Sequence, residues 1–381
     1  MSSVEIDGKC DAAFGGVREV FERHFAEGVE LGARVAVMVD GAVVVDVWGG
    51  YADPGRSVPW SASTLVNVWS STKGVVALAA HLLAERGLLD LDAPVARYWP
   101  EFAAGGKEEL PVRYLLSHRA GLAGLREPVT VEDLCDWDTM TSRLAAAEPL
   151  WEPGTVSGYH ALTYGHLVGE VIRRVSGRTV GEFIRAELAG PLGADFHVGL
   201  AQRDDDRVAT LVQAPPPPGS EMEKVFAELG PIALAALANP GVGADAANTA
   251  RWRRAEIPAA NGHATALSLA QLYGAYAGRS AVIGAEQTDL ARQGQGRCLD
   301  LVIGVPLGRE SEFGLGVLPS GEEGNYGPNP RAFGVDGFGG SFGMCDPEAG
   351  LSMGYAMNAM GHHVLNDPRK SGLIDAVYAA L

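Results

Sequence analysis

Apolar positions change their spacing several times along the chain, and each spacing predicts a different element. Over residues 14–28, Val17, Val20, Phe21 and Phe25 recur at helical intervals, which predicts an amphipathic helix. Residues 33–39 and 42–48 are valine-rich runs flanking Asp40-Gly41, a dipeptide suited to a two-residue turn, so they predict a β-hairpin. From about residue 65 to 200 the pattern turns helical, with Gly and Pro punctuation. Within it, residues 74–83 are almost wholly apolar and rich in Ala and Leu, as in a buried helix. Residues 267–276 read as a further helix. Runs at 313–317, 342–345 and 351–357 read as strands with tight turns, and 374–381 as a closing helix. Residues 201–262 hold Arg203-Asp204-Asp205-Asp206 and four consecutive prolines at 215–218, which mark exposed loops; no period assigns the elements between them.

Strands at both ends with helices between predict an α/β (α+β) fold: one antiparallel sheet formed by both termini, flanked by helices, with a mainly helical domain inserted. The expected division is 1–62 with 263–381 for the sheet domain and 63–262 for the helical one.

A chain of 381 residues, 47% hydrophobic and 20% charged, has ample material for a core. Its net charge of −17 excludes nucleic acid or an anionic membrane as the main partner, since both need clustered Lys and Arg. No stretch approaches the ~18 apolar residues of a membrane span. Cys10, Cys135, Cys298 and Cys345 are scattered, without metal-site spacing, and are expected as reduced thiols. Neither a metal nor a cofactor is expected. The first residues lack the basic cluster and apolar run of a signal peptide, so the expected location is cytoplasmic.

Ser70-Ser71-Thr72-Lys73 stands just before the buried-helix pattern. On a helix, i and i+3 share a face, which sets the Lys73 amine beside the Ser70 hydroxyl. At the first turn, unpaired backbone N–H groups favour developing negative charge at Ser70. That is the equipment for a serine nucleophile with a lysine base, although a serine at a helix start is commonly only a cap. Downstream, the loop at 151–165 carries Tyr159, and a loop tyrosine can move protons; Tyr164 and Tyr51 are equal candidates on local grounds. A rival nucleophile is Ser341 in Gly339-Gly340-Ser341-Phe342-Gly343, with Asp346, His362 and His363 following. A nucleophile elbow needs a helix after its turn, and a β-like run follows here, so Ser341 reads as a small residue near the site and the two histidines as surface groups.

Taken together, S-x-x-K, a tyrosine loop after Trp151-Glu152-Pro153-Gly154-Thr155, and a late Gly-rich strand resemble the serine β-lactamase/penicillin-binding-protein family. The branch it most resembles is the class C-like one that includes family VIII carboxylesterases. Leu115-Leu116-Ser117-His118-Arg119-Ala120-Gly121-Leu122, the phrase from Trp252 to Gly262, and Asp346-Pro347-Glu348 support it in the expected order. The resemblance implies a β-lactamase/transpeptidase-like fold with the active site at the junction of its two domains, Ser70 as nucleophile, and a Lys73–Tyr159 pair for proton transfer. It also implies backbone N–H groups of Ser70 and Phe338 as the oxyanion hole. Trp151, His160, Val335, Asp336 and Gly337 are the implied substrate contacts. Two departures matter. Tyr159-His160-Ala161 stands where the family often has Y-x-N, and Val335-Asp336-Gly337 where it often has K-T-G or H-x-G. With no cation at 335 and a carboxylate at 336, weak or no β-lactam hydrolysis is expected. The expected activity is hydrolysis of small carboxylic esters through an acyl-enzyme. The alternatives are acyl transfer to a metabolite hydroxyl or amine, a D-aminopeptidase-like activity, or a non-catalytic binding module. Among side chains of lesser weight, His118 is expected to hold a loop, Trp252 to line an acyl pocket, and Asn261 to point weakly to the cleft.

Overall fold

The computed structural model describes residues 4–227, 229–278, 281–321, 324–364 and 367–381. The two valine-rich runs form strands β2 (Gly32–Val39) and β3 (Ala42–Gly50), preceded by β1 (Ile6–Cys10) and helix α1 (Gly15–Ala26). Asp40 and Gly41 both have positive φ, 49° and 79°, the turn whose twist matches the flanking strands. Four later strands complete the sheet: β4 (Leu318–Pro319), β5 (Phe333–Asp336), β6 (Phe342–Asp346) and β7 (Leu351–Met357). The order is β1-β3-β2-β7-β6-β5-β4, antiparallel throughout. The β2–β7 seam, from Val39 opposite Leu351 to Ala33 opposite Met357, closes the two ends of the chain into one sheet.

Both faces of this sheet are covered, and the period-two alternation sorts side chains between two cores. Val35 and Val37 of β2, with Met353 and Tyr355 of β7, face the core under α1 and the closing helix Pro368–Tyr378. Ala36 and Met38, with Ala356, face the larger core shared with the helical layer. At the centre of that layer lies α2 (Ser71–Glu85), in which every side chain from Ser71 to Leu83 is buried. This explains its lack of a polar stripe. Helices α3 (Thr163–Ser176) and α4 (Ala266–Gly274) pack beside it. The Tyr273 hydroxyl donates to the Ser71 carbonyl at 2.9 Å, fastening α4 to the start of α2.

Three expectations change. Residues 313–317 form no strand; Gly316 has φ of +95°, and a Cβ there would lie 2.3 Å from Ala77 Cβ, so the segment folds close over α2 before β4 begins. The closing helix, α5 (Pro368–Tyr378), starts six residues earlier than expected, with Asp367 accepting from the Arg369 amide and proline in the first turn. The unassigned stretch holds short helices, Glu221–Ala227, Pro231–Leu237, Ala244–Ala247 and Ala250–Arg254, and a strand Val212–Gln213 parallel to Ala359–Met360. Helices of four to seven residues span at most two turns, too few for an apolar period to emerge.

The close approach of α4 to the sheet rests on Gly354 of β7: a Cβ there would sit 2.1 Å from the Ala266 carbonyl oxygen. Gly354→Ala is expected to lower unfolding free energy by ~1–3 kcal/mol through overpacking. Urea denaturation with an unchanged m-value checks it; an unaltered midpoint contradicts it.

Candidate active site

Trp69, with φ of +46°, turns the chain sharply ahead of α2 and leaves Ser70 at the helix N-cap. The helix start is clamped from both sides. Thr72 Oγ1 donates to the Trp69 carbonyl (2.6 Å) and accepts from the Gly262 amide (2.9 Å). Ser71 Oγ lies 3.2 Å from Ser341 Oγ, which donates to the Val68 carbonyl at 2.8 Å.

One helical turn on, Lys73 is buried with its Nζ 3.0 Å from Ser70 Oγ, 2.8 Å from the Ala161 carbonyl and 2.9 Å from the Ala259 carbonyl. Among the described residues no carboxylate pairs with it. Burial pushes its pKa well below the usual lysine range. A neutral amine fits these partners: two N–H donors meet two carbonyls, and the lone pair is left for the Ser70 hydroxyl proton. Tyr159 Oη approaches the same Ser70 Oγ at 2.7 Å. Burial raises the Tyr159 pKa, so the phenol keeps its proton and donates. A chain of bonds then runs from the phenol through the serine to the amine.

The Tyr159 loop is held by groups on three segments. His118, at φ of +61°, accepts from the His160 amide through Nδ1 (3.1 Å), and its carbonyl accepts from Gly158 (3.0 Å). Asp300, an acid buried in an apolar run, accepts from the Tyr159 amide (3.1 Å) and from Ser157 Oγ (3.0 Å). Phe313 stacks on the Tyr159 ring at 6.1 Å. His118 thus holds a loop as expected. Asp300 and Phe313 escaped the sequence reading, although a lone acid within Leu299-Asp300-Leu301-Val302-Ile303 is a readable sign of a buried charge with partners.

Ser70 and Tyr159 open onto a cleft of about 1010 Å³, its open mouth included. The expected residues Val335, Asp336, Gly337 and Phe338 line one side. Gly337 is needed there: a Cβ would lie 2.1 Å from Ser341 Oγ and 2.4 Å from the Val68 carbonyl. Asp336 is not a free charge as expected, because Lys370 Nζ lies 2.7 Å from its Oδ2 and the Tyr326 hydroxyl 3.1 Å from its Oδ1. The amides of Ser70 and Phe338 donate to no acceptor among the described residues. The opposite wall is apolar and comes from the unassigned stretch: Met222, Val225, Phe226, Leu237 and Val242.

Several candidates stand elsewhere. His160 does not line the cleft: it is fully buried, with Nδ1 2.6 Å from the Gly158 carbonyl and Nε2 accepting from the Leu122 amide at 3.1 Å. Burial lowers its pKa to about 3, so it stays neutral. Trp151 folds onto its own loop, its Nε1 donating to the Val156 carbonyl at 3.0 Å. Trp252 is buried behind Trp69 and donates to Asn67 Oδ1, while Asn261 caps local backbone groups. Ser341 is buried and bonded as above, and no helix follows it. His363, expected to be a plain surface group, is exposed yet lies at the cleft mouth.

A sheet joined from both termini, with S-x-x-K at the start of a buried helix and a tyrosine hydroxyl on the serine, defines a serine hydrolase of the β-lactamase/penicillin-binding-protein class. The chain belongs to the Beta-lactamase family, whose model matches residues 17–376. It is 39% identical over 374 residues to the esterase/beta-lactamase LipL of Mycobacterium tuberculosis, covering 93% of this chain and 83% of that protein. It superposes on the crystal structure of a family VIII carboxylesterase with a TM-score of 0.92 at 41% identity, covering 99% of this chain and 100% of the other. A penicillin-binding-protein homologue from Caulobacter crescentus gives 0.90 at 43%, with the same coverage. Among the described residues no helix is long and apolar enough to cross a membrane.

Because Trp151 packs on its own loop, Trp151→Phe should leave KM for an ester within about twofold of wild type. Steady-state kinetics test this; a tenfold rise in KM would restore Trp151 as a substrate contact.

Proposed function

We propose that the protein hydrolyses small uncharged carboxylic esters through an acyl-enzyme on Ser70. One observation carries the reading: a buried amine at 3.0 Å and a protonated phenol at 2.7 Å converge on one serine oxygen at the edge of an apolar cleft. As Ser70 Oγ bonds to the ester carbonyl carbon, its proton passes to Lys73, and the carbonyl electron pair moves to the oxygen. The amides of Ser70 and Phe338 are assigned to receive that oxyanion. On collapse the carbon–oxygen bond to the alcohol breaks and Tyr159 protonates the leaving group, recovering a proton from the Lys73 ammonium. Water then attacks the acyl carbon, its proton returns through the same pair, and Ser70 leaves as the free hydroxyl. The two side chains have different assigned tasks, Lys73 as base and Tyr159 as acid, because burial lowers one pKa and raises the other.

Neutral esters fit the apolar wall and the neutralised Asp336; a substrate carboxylate would find Val335 where related sites hold a cation, so β-lactams are assigned as poor substrates. The family VIII carboxylesterase neighbour and the esterase half of LipL's name support ester hydrolysis, while the beta-lactamase half of that name does not separate the two substrate classes. Four free cysteines support a reducing, cytoplasmic setting.

Ser70→Ala should lower kcat for p-nitrophenyl butyrate by at least ~10³-fold. A fluorophosphonate should label Ser70 in the wild type, as read by peptide mass spectrometry; label on Ser341, or retained turnover, contradicts the assignment. Acylation needs neutral Lys73, so kcat/KM should rise with pH on an acid limb set by the depressed amine and then stay level to about pH 10, since the raised Tyr159 pKa gives no earlier basic limb. A rate still climbing like an ordinary lysine near pH ~10.4 would count against it.

A further inference from the structure

Asp300 is fully buried, and its two carboxylate oxygens are used on separate jobs. Oδ1 accepts three backbone amides: Tyr159 (3.1 Å), Val302 (2.9 Å) and Ile303 (3.0 Å). Oδ2 accepts the Ser157 hydroxyl at 3.0 Å, and the Leu301 amide donates to the Ser157 carbonyl at 3.0 Å. One carboxylate therefore ties the segment that carries Tyr159 to the segment that carries Ile303, a residue lining the cleft. No guanidinium or ammonium pairs with Asp300 among the described residues; hydrogen-bond donors alone satisfy it, and their directions fix the backbone at Tyr159.

We infer that Asp300 is a positioning residue for catalysis, holding the Tyr159 backbone so that its hydroxyl meets both Ser70 Oγ and the departing alcohol. This rests on the acid role proposed for Tyr159. With its ring packed on Phe313, the Tyr159 phenol reaches Ser70 at 2.7 Å from a backbone whose position sets where the hydroxyl can go, and Asp300 Oδ1 holds that backbone at the Tyr159 amide itself. Loosening it displaces the acid more than the nucleophile, because Ser70 at the N-cap of α2 and Lys73 in its first turn touch Asp300 nowhere. The consequence is specific to the leaving group. An alkoxide cannot depart without a proton, whereas p-nitrophenolate can.

The test compares kcat/KM, which reports acylation and hence departure of the leaving group, for ethyl butyrate and p-nitrophenyl butyrate in full-length variants. Asp300→Ala and Asp300→Glu, the latter displacing the carboxylate by one methylene, should each lose at least ~30-fold more on the ethyl ester than on the nitrophenyl ester. Tyr159→Phe should show the same split, and adding Asp300→Ala to it should widen the split no further. Asp300→Asn, which keeps an acceptor oxygen, should hold the wild-type ratio. Should the alanine variant not fold, the glutamate variant carries the comparison. Equal losses on both esters in the Ala and Glu variants, with a split in Tyr159→Phe, overturn the inference alone. A split in Asp300→Asn as large as in Asp300→Ala overturns it as well. No split in Tyr159→Phe removes that residue's proposed role, and this inference with it.

Discussion

The site depends on the burial of one amine. Lys73 Nζ is enclosed by the carbonyls of Ala161 and Ala259 and by Ser70 Oγ, with no counter-ion among the described residues. Removing an ammonium from water without a paired charge costs several kcal/mol, so the group meets that cost by giving up its proton. Neutrality then dictates direction: the two N–H bonds go to the carbonyls, and the lone pair is free for the serine proton. A carboxylate at either carbonyl position would hold the amine charged and leave it unable to act as a base.

The rest of the architecture serves that enclosure. The Ala161 carbonyl arrives on the loop that also brings Tyr159, and the Ala259 carbonyl on the segment leading to Gly262, whose amide bonds Thr72. From the other side the sheet approaches through Gly337, where only hydrogen fits between Ser341 and the Val68 carbonyl. Hence α2 is buried on every face: it is gripped by loops from the helical layer at its first turn and by β5 and β6 along its sheet side. Tyr273 adds a hydroxyl bond to the same turn.

Much of this was legible in the residues. The hairpin, the buried helix after Lys73, the sheet assembled from both ends and the Ser70–Lys73 pairing follow from spacing and turn chemistry, whereas Tyr159 is separated from Tyr164 and Tyr51 only by the family resemblance. His160 and Trp151 misled, because sharing the Tyr159 loop says nothing about side-chain direction; both point back into backbone they satisfy. The apolar wall was unreadable for a different reason. Its residues, such as Met222, Phe226 and Leu237, lie on helices too short to impose a period, and their partners across the cleft are about a hundred residues away in sequence. Asp300 needed tertiary knowledge: a lone acid among leucines signals burial, but not which amides it serves.

The most direct measurement is the ionisation of Lys73 itself. The chain has five lysines, at 9, 73, 107, 224 and 370, few enough for each ¹³Cε resonance to be followed by NMR in protein labelled at that carbon. The account predicts that the signal absent from a Lys73→Met variant titrates at the lowest pH of the five, well below the usual lysine range. A Lys73 signal titrating near ~10.4, like a solvated amine, would contradict it.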